Sequence, residues 1–328
     1  MKILFIGGTG NISAACSRLA IKKGWELHLL TRGNSIHTPT GAHILKVDIN
    51  DITRVKELLK GHYFDTVVNW VAFGPDDIQR DYELFQDKTD QYIFISSASC
   101  YQKPLSHPII TESTPLANPF WEYSRLKIAC EDKLMSLYRQ KGFPITIVRP
   151  SLTYDTVIPV PIGGWTEYTI IDRIKKGKRI IIHGDGTSLW TITHASDFAA
   201  GFIGLIGHQQ AIGQSFHITS DELLTWNQIY EAVALTTGKK AEVVYIPSDY
   251  LGKFDEHLRG SLLGDKSVST IFDNSKIRRF VPEFNPVIRF KDGIRNTIKW
   301  FEEDPERMIV NDKTDKFMDT IISSYTNS

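Results

Sequence analysis

A tyrosine and a lysine stand four residues apart in Y-S-R-L-K, Tyr123 to Lys127. On a helix this spacing puts both side chains on one face. A lysine cation beside a phenol favours the tyrosinate and lowers the tyrosine pKa towards a range useful for proton transfer. Tyr123 is therefore a candidate acid/base for a hydroxyl or carbonyl oxygen, with Lys127 tuning it. A Tyr-x-x-x-Lys pair is common by chance, so its surroundings decide its weight. Upstream, I-F-I-S-S-A-S-C-Y, Ile93 to Tyr101, runs off a strand pattern into serines. Ser97 there either hydrogen-bonds a reacting oxygen or caps local backbone.

A second constellation supplies what such a pair would act with. G-G-T-G-N-I-S, Gly7 to Ser13, follows an apolar strand and opens a helix. Gly7 permits a tight turn, Gly10 lets backbone approach a pyrophosphate, and the helix amides from Asn11 and Ile12 onward meet its charge. Ser13 stands at the third glycine position of that fingerprint, so the match is incomplete. The setting predicts a dinucleotide whose nicotinamide end reaches Tyr123 and Lys127, with Lys127 also holding the nicotinamide ribose. The second strand ends L-L-T-R without a carboxylate. Arg32, helped by Thr31, then reads a 2′-phosphate, which favours NADP; NAD remains possible. Asp48, after the third strand, either reaches the adenine or closes a turn.

These residues need a scaffold that brings strand ends together. Apolar runs at Lys2–Gly7, Glu26–Thr31, Ile44–Val47, Asp65–Asn69, Tyr92–Ser96 and Ile145–Arg149 alternate with helical patterns at Asn11–Lys23, Asp51–Lys60, Asp77–Lys88 and Tyr123–Gln140. This order predicts an α/β fold with a mostly parallel sheet and helices on both faces. The rhythm changes after Pro150, where D-T-V-I-P-V-P-I-G-G supplies a loop on the substrate side. Helices are expected at Glu167–Lys176, His194–Ile206, Thr225–Thr237, Asp255–Arg259 and Phe290–Glu303. Residues 1–155 form the main dinucleotide-binding region and 156–328 mainly a smaller, discontinuous substrate lobe. A segment near 191–220 returns to the first region.

Composition narrows the classes. The 328 residues are 41% hydrophobic, and 38 basic residues balance 38 acidic ones. That balance argues for a folded soluble protein and against a general affinity for nucleic acid. No apolar run is long enough for a bilayer, and M-K-I-L-F-I meets glycine before a signal-peptide core forms, so a cytoplasmic location and no membrane partner are expected. The three cysteines are far apart, and His183 and His194 lack a compact ligand pattern, so no metal is expected. Trp70 and Phe73 in W-V-A-F-G either line the nicotinamide pocket or pack as core.

In order along the chain, G-G-T-G-N-I-S, I-S-S-A-S-C-Y, Y-S-R-L-K, V-R-P-S-L-T-Y and G-D-G followed by I-T-H-A-S-D-F-A resemble the extended short-chain dehydrogenase/reductase family, especially nucleotide-sugar epimerases and dehydratases. The resemblance covers roughly residues 1–300 and implies a Rossmann-like fold. It assigns Ser97, Tyr123 and Lys127 as the catalytic group. Ser99 stands where dehydratases of the family place a glutamate; it is read as a substrate contact, and dehydration is disfavoured. Asp155 replaces the glycine of the family's Tyr-Gly. The family's diphosphate-binding arginine near Trp190 is missing, and Trp190 either stacks on a substrate ring or packs between lobes. Arg149 is read as a structural salt-bridge partner. The chain also looks like the atypical branch containing chloroplast stem-loop RNA-binding proteins. The implied function is an NAD(P)-dependent epimerase or reductase acting on a sugar nucleotide or another hydroxylated small molecule, with a homodimer possible through the Tyr123 helix. The alternative is a non-enzymatic RNA-binding or regulatory protein on the same scaffold.

Overall fold

The computed structural model describes residues 1–33 and 38–327. Seven strands form one sheet, in the edge-to-edge order Ser215–Ile218, Ile145–Pro150, Tyr92–Ile95, Thr66–Asn69, Lys2–Ile6, Glu26–Thr31, His43–Lys46. Every pairing in it is parallel. The chain starts in the middle, builds outward to one edge, then crosses back to build the other. The order therefore reverses between Lys2–Ile6 and Thr66–Asn69, the position at which α/β sheets open a crevice beyond the carboxyl ends of their strands.

Alternation sends side chains to two separate cores. Ile3 and Phe5 face one layer, where helices Ser13–Lys22 and Ala195–Leu205 contribute Cys16, Phe198 and Phe202. Leu4 and Ile6 face the other, against Val55, Leu84 and Leu134 from the helices Ile52–Leu58, Pro75–Phe85 and Glu122–Lys141. With both faces covered, the strands read as near-continuous apolar runs. The 20-residue helix Glu122–Lys141 ends at Gly142, whose φ of 68° closes it in the left-handed conformation.

A second lobe has its own core around Trp190, Trp226, Ile294 and Phe301. Within it Arg179–His183 pairs in parallel with Glu242–Ile246, and Leu152–Tyr154 with Ile192–His194. The chain then returns: Ala195–Leu205 packs on Ser13–Lys22, and Ser215–Ile218 extends the large sheet.

Several boundaries differ from the sequence reading for local reasons. The helix expected from Asp77 starts at Pro75, because proline suits the first turn, where no N–H acceptor is needed. Asp77 instead accepts the N–H groups of Phe73 (2.8 Å) and Gly74 (3.1 Å). The helix expected from Glu167 starts at Thr169, with Glu167 bonded to Asn311 and Thr314. Among the elements that the sequence reading does not contain are the strands Ser215–Ile218 and Glu242–Ile246, the short helices Ser248–Leu251 and Ser275–Phe280, and the last helix, Asp312–Thr326, which seats Met318, Ile321 and Ile322 against Ile181 and Ile246. Among the described residues no helix is long and apolar enough to cross a membrane.

Candidate active site

Because the strands are parallel, the loops after Ile6, Asn69, Ile95 and Pro150 all leave the same edge of the sheet. They wall an open cavity of about 1090 Å³, lined on its other side by residues of the second lobe. That exceeds the roughly 300–1,000 Å³ of a single small-molecule site and suits two ligands meeting end to end.

One end is built by the glycine turn. Gly7 has φ 94°, and a Cβ there would lie 3.1 Å from Val71 Cγ1. Gly8, which the sequence reading passed over, is the tighter position: at φ 96° its Cβ would meet Leu29 Cδ2 at 2.7 Å. Gly10, Asn11, Ile12 and Ser13 line the cavity itself. Ser13, in the third glycine position, is buried and accepts the Gly10 N–H through Oγ at 2.9 Å. The helix that follows has Ile12 as its cap and no side-chain capping bond; Ala14 N–H already donates to Gly10 O at 2.8 Å, which leaves the amides of Asn11, Ile12 and Ser13 and the positive dipole end to an anion. Asn11 donates from Nδ2 to Thr153 O at 2.8 Å, while its Oδ1 is buried with no partner among the described residues. A glycine turn, an uncapped helix start and an orphaned acceptor fit the diphosphate and ribose of a dinucleotide.

The residues expected to choose that dinucleotide lie outside the cavity wall. Arg32 is exposed just beyond Glu26–Thr31. Thr31 accepts the Gly33 N–H through Oγ1 at 3.3 Å, and Asp48 accepts the Asn50 N–H through Oδ1 at 2.9 Å. Asp48 is thus engaged in a turn. Residues 34–37, which follow Arg32 and Gly33, lie outside the described residues.

At the other end of the crevice Ser97, Tyr123 and Lys127 converge on one wall. Ser97 caps the short turn Ala98–Cys100 by accepting the Ser99 N–H at 3.2 Å. The Ser97 and Ser99 hydroxyls are 2.9 Å apart, and Ser124 Oγ donates to Ser99 Oγ at 2.7 Å. This run of hydroxyls sets the direction of Ser97, so Ser99 orients its neighbour. Lys127 is 2% exposed and donates to Ala72 O (2.7 Å) and Ile95 O (2.9 Å). Its ammonium also sits 4.6 Å from the Phe73 ring centroid and 5.9 Å from that of Tyr123.

The expected lowering of the tyrosine pKa is corrected by this geometry. Burial pushes the Tyr123 hydroxyl up to about 12, against a hydrogen bond with Ser97 that pulls it down. Burial also brings Lys127 down to about 8. Two of the three ammonium donors go to carbonyls, Ala72 O in the loop after Asn69 and Ile95 O at the end of its strand, and desolvation outweighs its help to the phenol.

Trp190 also requires correction. It is 1% exposed and packs on Trp226, with ring centroids 5.4 Å apart, inside the core of the second lobe. It has no place on the cavity wall, so the stacking role gives way to packing. Arg149 forms a buried pair with Glu131 at 2.5 Å, and Glu131 in turn accepts from Ser96 Oγ at 2.5 Å.

The sequence reading left the far wall almost blank. Trp121 packs beside Tyr123 (centroids 4.9 Å apart), and Trp165, Glu167, Asp265, Lys266, Thr314 and Phe317 continue the lining. Their common signal is weak: they come from two separate loops, from the short helical turn Leu262–Lys266 and from the last helix. Among the described residues no cluster of His, Cys, Asp or Glu is arranged to hold a metal.

Residues 3–219 match the profile described as the NAD dependent epimerase/dehydratase family. The chain belongs to that family. It is 28% identical over 268 residues to the chloroplast stem-loop binding protein of 41 kDa b from Arabidopsis thaliana, covering 76% of this chain and 67% of that one. It is 21% identical over 286 residues to the 2'-dehydrokanamycin reductase of Streptomyces kanamyceticus, covering 87% and 80%. The UDP-glucuronic acid 4-epimerase of Bacillus cereus, solved in complex with NAD, superposes with a TM-score of 0.73 at 20% identity, covering 92% of this chain and 99% of that one. At that identity the likeness is one of fold.

Proposed function

We propose that the protein is an NAD(P)-dependent epimerase or reductase acting on a sugar nucleotide or another hydroxylated small molecule. The reading rests on one observation: Ser97, Tyr123 and Lys127 share a cavity with the uncapped, glycine-opened helix at Gly10–Ser13. Gly10, Asn11 and Ile12 hold the dinucleotide, and Lys127 its nicotinamide ribose. A nicotinamide cofactor, when bound, supplies or accepts a hydride. Ser97 hydrogen-bonds the reacting oxygen of the substrate. Tyr123 exchanges the proton at that oxygen: with its hydroxyl held up near 12 it carries the proton at neutral pH and serves as an acid. Acting as a base requires added positive charge nearby to lower that value. Ser99 has no carboxyl to remove a proton from a neighbouring carbon, which favours these reactions over dehydration. Arg32 at the end of the second strand is the proposed reader of a 2′-phosphate, so NADP is the favoured cofactor.

Calorimetric titration with NADP⁺ and NAD⁺ tests this. Tighter binding of NADP⁺, weakened by Arg32→Ala, supports the assignment; tighter NAD⁺ binding removes the role of Arg32 and keeps the enzyme. Turnover without net change in cofactor redox state marks an epimerase, and stoichiometric consumption marks a reductase. If the folded protein binds neither dinucleotide, the enzyme reading fails. Stem-loop binding, the activity named for the chloroplast relative, is then the one to measure, with a stem-loop RNA as the probe.

A further inference from the structure

Trp165 is the one non-glycine residue with positive φ among the described residues, at 62°. That region crowds a Cβ against the backbone, and a bulky aromatic residue rarely occupies it. The surrounding frame enforces the conformation. Trp165 donates its N–H to Ile158 O at 2.6 Å and accepts the Ile158 N–H at 2.9 Å, closing a loop over Pro159–Gly164. Gly164 has no room for a side chain, since a Cβ there would meet Ile158 O at 2.6 Å. Ile158, Val160 and Ile162 turn inward and are buried, so the loop is anchored by its other residues. The indole is the part left out: it is 48% exposed, yet it lines the cavity that holds Tyr123. Neither fold stability nor core packing accounts for a strained, half-exposed tryptophan, and backbone strain of this kind gathers at ligand-holding positions.

The charges around it indicate what it holds. No arginine lines the cavity among the described residues. Lys266 is already engaged, 3.5 Å from Asp265 and 5.3 Å from the centroid of the Trp121 ring. The other basic residues on the lining are Lys127, His257 and Lys313, so a substrate in this compartment meets single cations and no guanidinium fork, beside much aromatic and apolar surface from Trp121, Trp165, Leu258 and Phe317. An indole face takes a flat ring, either the π-face of a base or the C–H face of a sugar.

We infer that Trp165 is the stacking wall of the substrate compartment, held in its strained backbone to receive a ring of the substrate, and that ring contact rather than an arginine clamp orients the ligand. This deepens the enzyme reading above and rests on it. The test uses the full-length protein loaded with NADP⁺ and three probes: UDP-glucose, UDP and D-glucose. A ring-bearing probe should quench the wild-type tryptophan emission, and Trp165→Phe should lose most of that quench while keeping affinity within a few-fold. Trp165→Ala and Trp165→Gly should weaken binding at least tenfold and leave NADP⁺ affinity within twofold. Trp165→Gly, free to adopt the positive φ, should melt at or above the wild-type temperature. Loss confined to UDP and UDP-glucose identifies the base as the stacked ring; loss shared by D-glucose identifies the sugar. The inference is overturned if affinities do not depend on residue 165, if no probe binds the NADP⁺-loaded wild type, or if Trp165→Gly melts well below it. Absence of NADP⁺ and NAD⁺ binding by the wild type would instead sink the enzyme reading itself.

Discussion

Lys127 illustrates how one residue carries both a chemical and a structural cost. Burial lowers its pKa from 10.5 to about 8, so the unfolded chain binds the proton more tightly than the folded one. Between about pH 8 and 10.5 the unfolded state holds more protons, and stability must rise with pH across that window; below pH 8 the full cost is present. The difference is on the order of 3 kcal/mol at most, from about 1.36 kcal/mol per unit. Melting temperatures of wild type and Lys127→Met should therefore converge or cross as pH rises from 8 to 10, with Lys127→Met the flatter curve. Tyr123→Phe removes the proton-bearing oxygen and should lower kcat by roughly 10²–10⁴ while dinucleotide affinity holds; an unchanged kcat would remove Tyr123 from the chemistry. The Tyr-Lys spacing was legible because a helix fixes it locally. That Lys127 spends its proton on Ala72 O and Ile95 O was not, since both acceptors come from strand ends distant in sequence.

At the scale of elements, those acceptors are themselves held in place. Asn69 ends its strand and accepts the N–H groups of Val71 (2.7 Å) and Ala72 (2.8 Å), shaping the loop whose carbonyl meets Lys127. Its amide donates to Asp81, which also accepts from Tyr92 at 2.6 Å and from Arg80. All four residues are buried. Asn69→Leu leaves two loop amides and Asp81 short of partners and should cost about 1–3 kcal/mol per unsatisfied group in denaturant unfolding. It should also lower kcat more than substrate affinity, because it loosens the seat of Lys127. Strand order and helix order were readable from apolar runs and their periods. The loops were not: nothing local marks Asn69 as the keystone of the turn after it. Gly8 is a similar case, a glycine required by the side chain of Leu29 one strand away.

For the molecule as a whole, the cavity exists because two lobes are stitched across it. Asn11 reaches Thr153 O, and Asp155 pairs with Arg18 at 2.9 Å and accepts from Thr297 through its carbonyl. The last helix adds to the cavity wall and divides its work between adjacent residues. Met318 is fully buried beside Ile321 and Ile322, with its methyl group beneath Gly163, while Phe317 lines the cavity. Its apolar positions recur at helical spacing, so the helix could have been read from the sequence. Its partners Ile181 and Ile246, on the two paired strands of the second lobe, could not. The division yields opposite outcomes for neighbouring substitutions. Met318→Ala opens a core void and should cost about 2–5 kcal/mol, seen as a lower denaturant midpoint, with dinucleotide affinity unchanged. Phe317→Ala should leave most of that stability and instead raise the substrate KM several-fold, because it removes apolar wall from the compartment shared with Trp165. If the two variants lost stability equally and substrate binding not at all, the last helix would be a brace for the lobe and no part of the site.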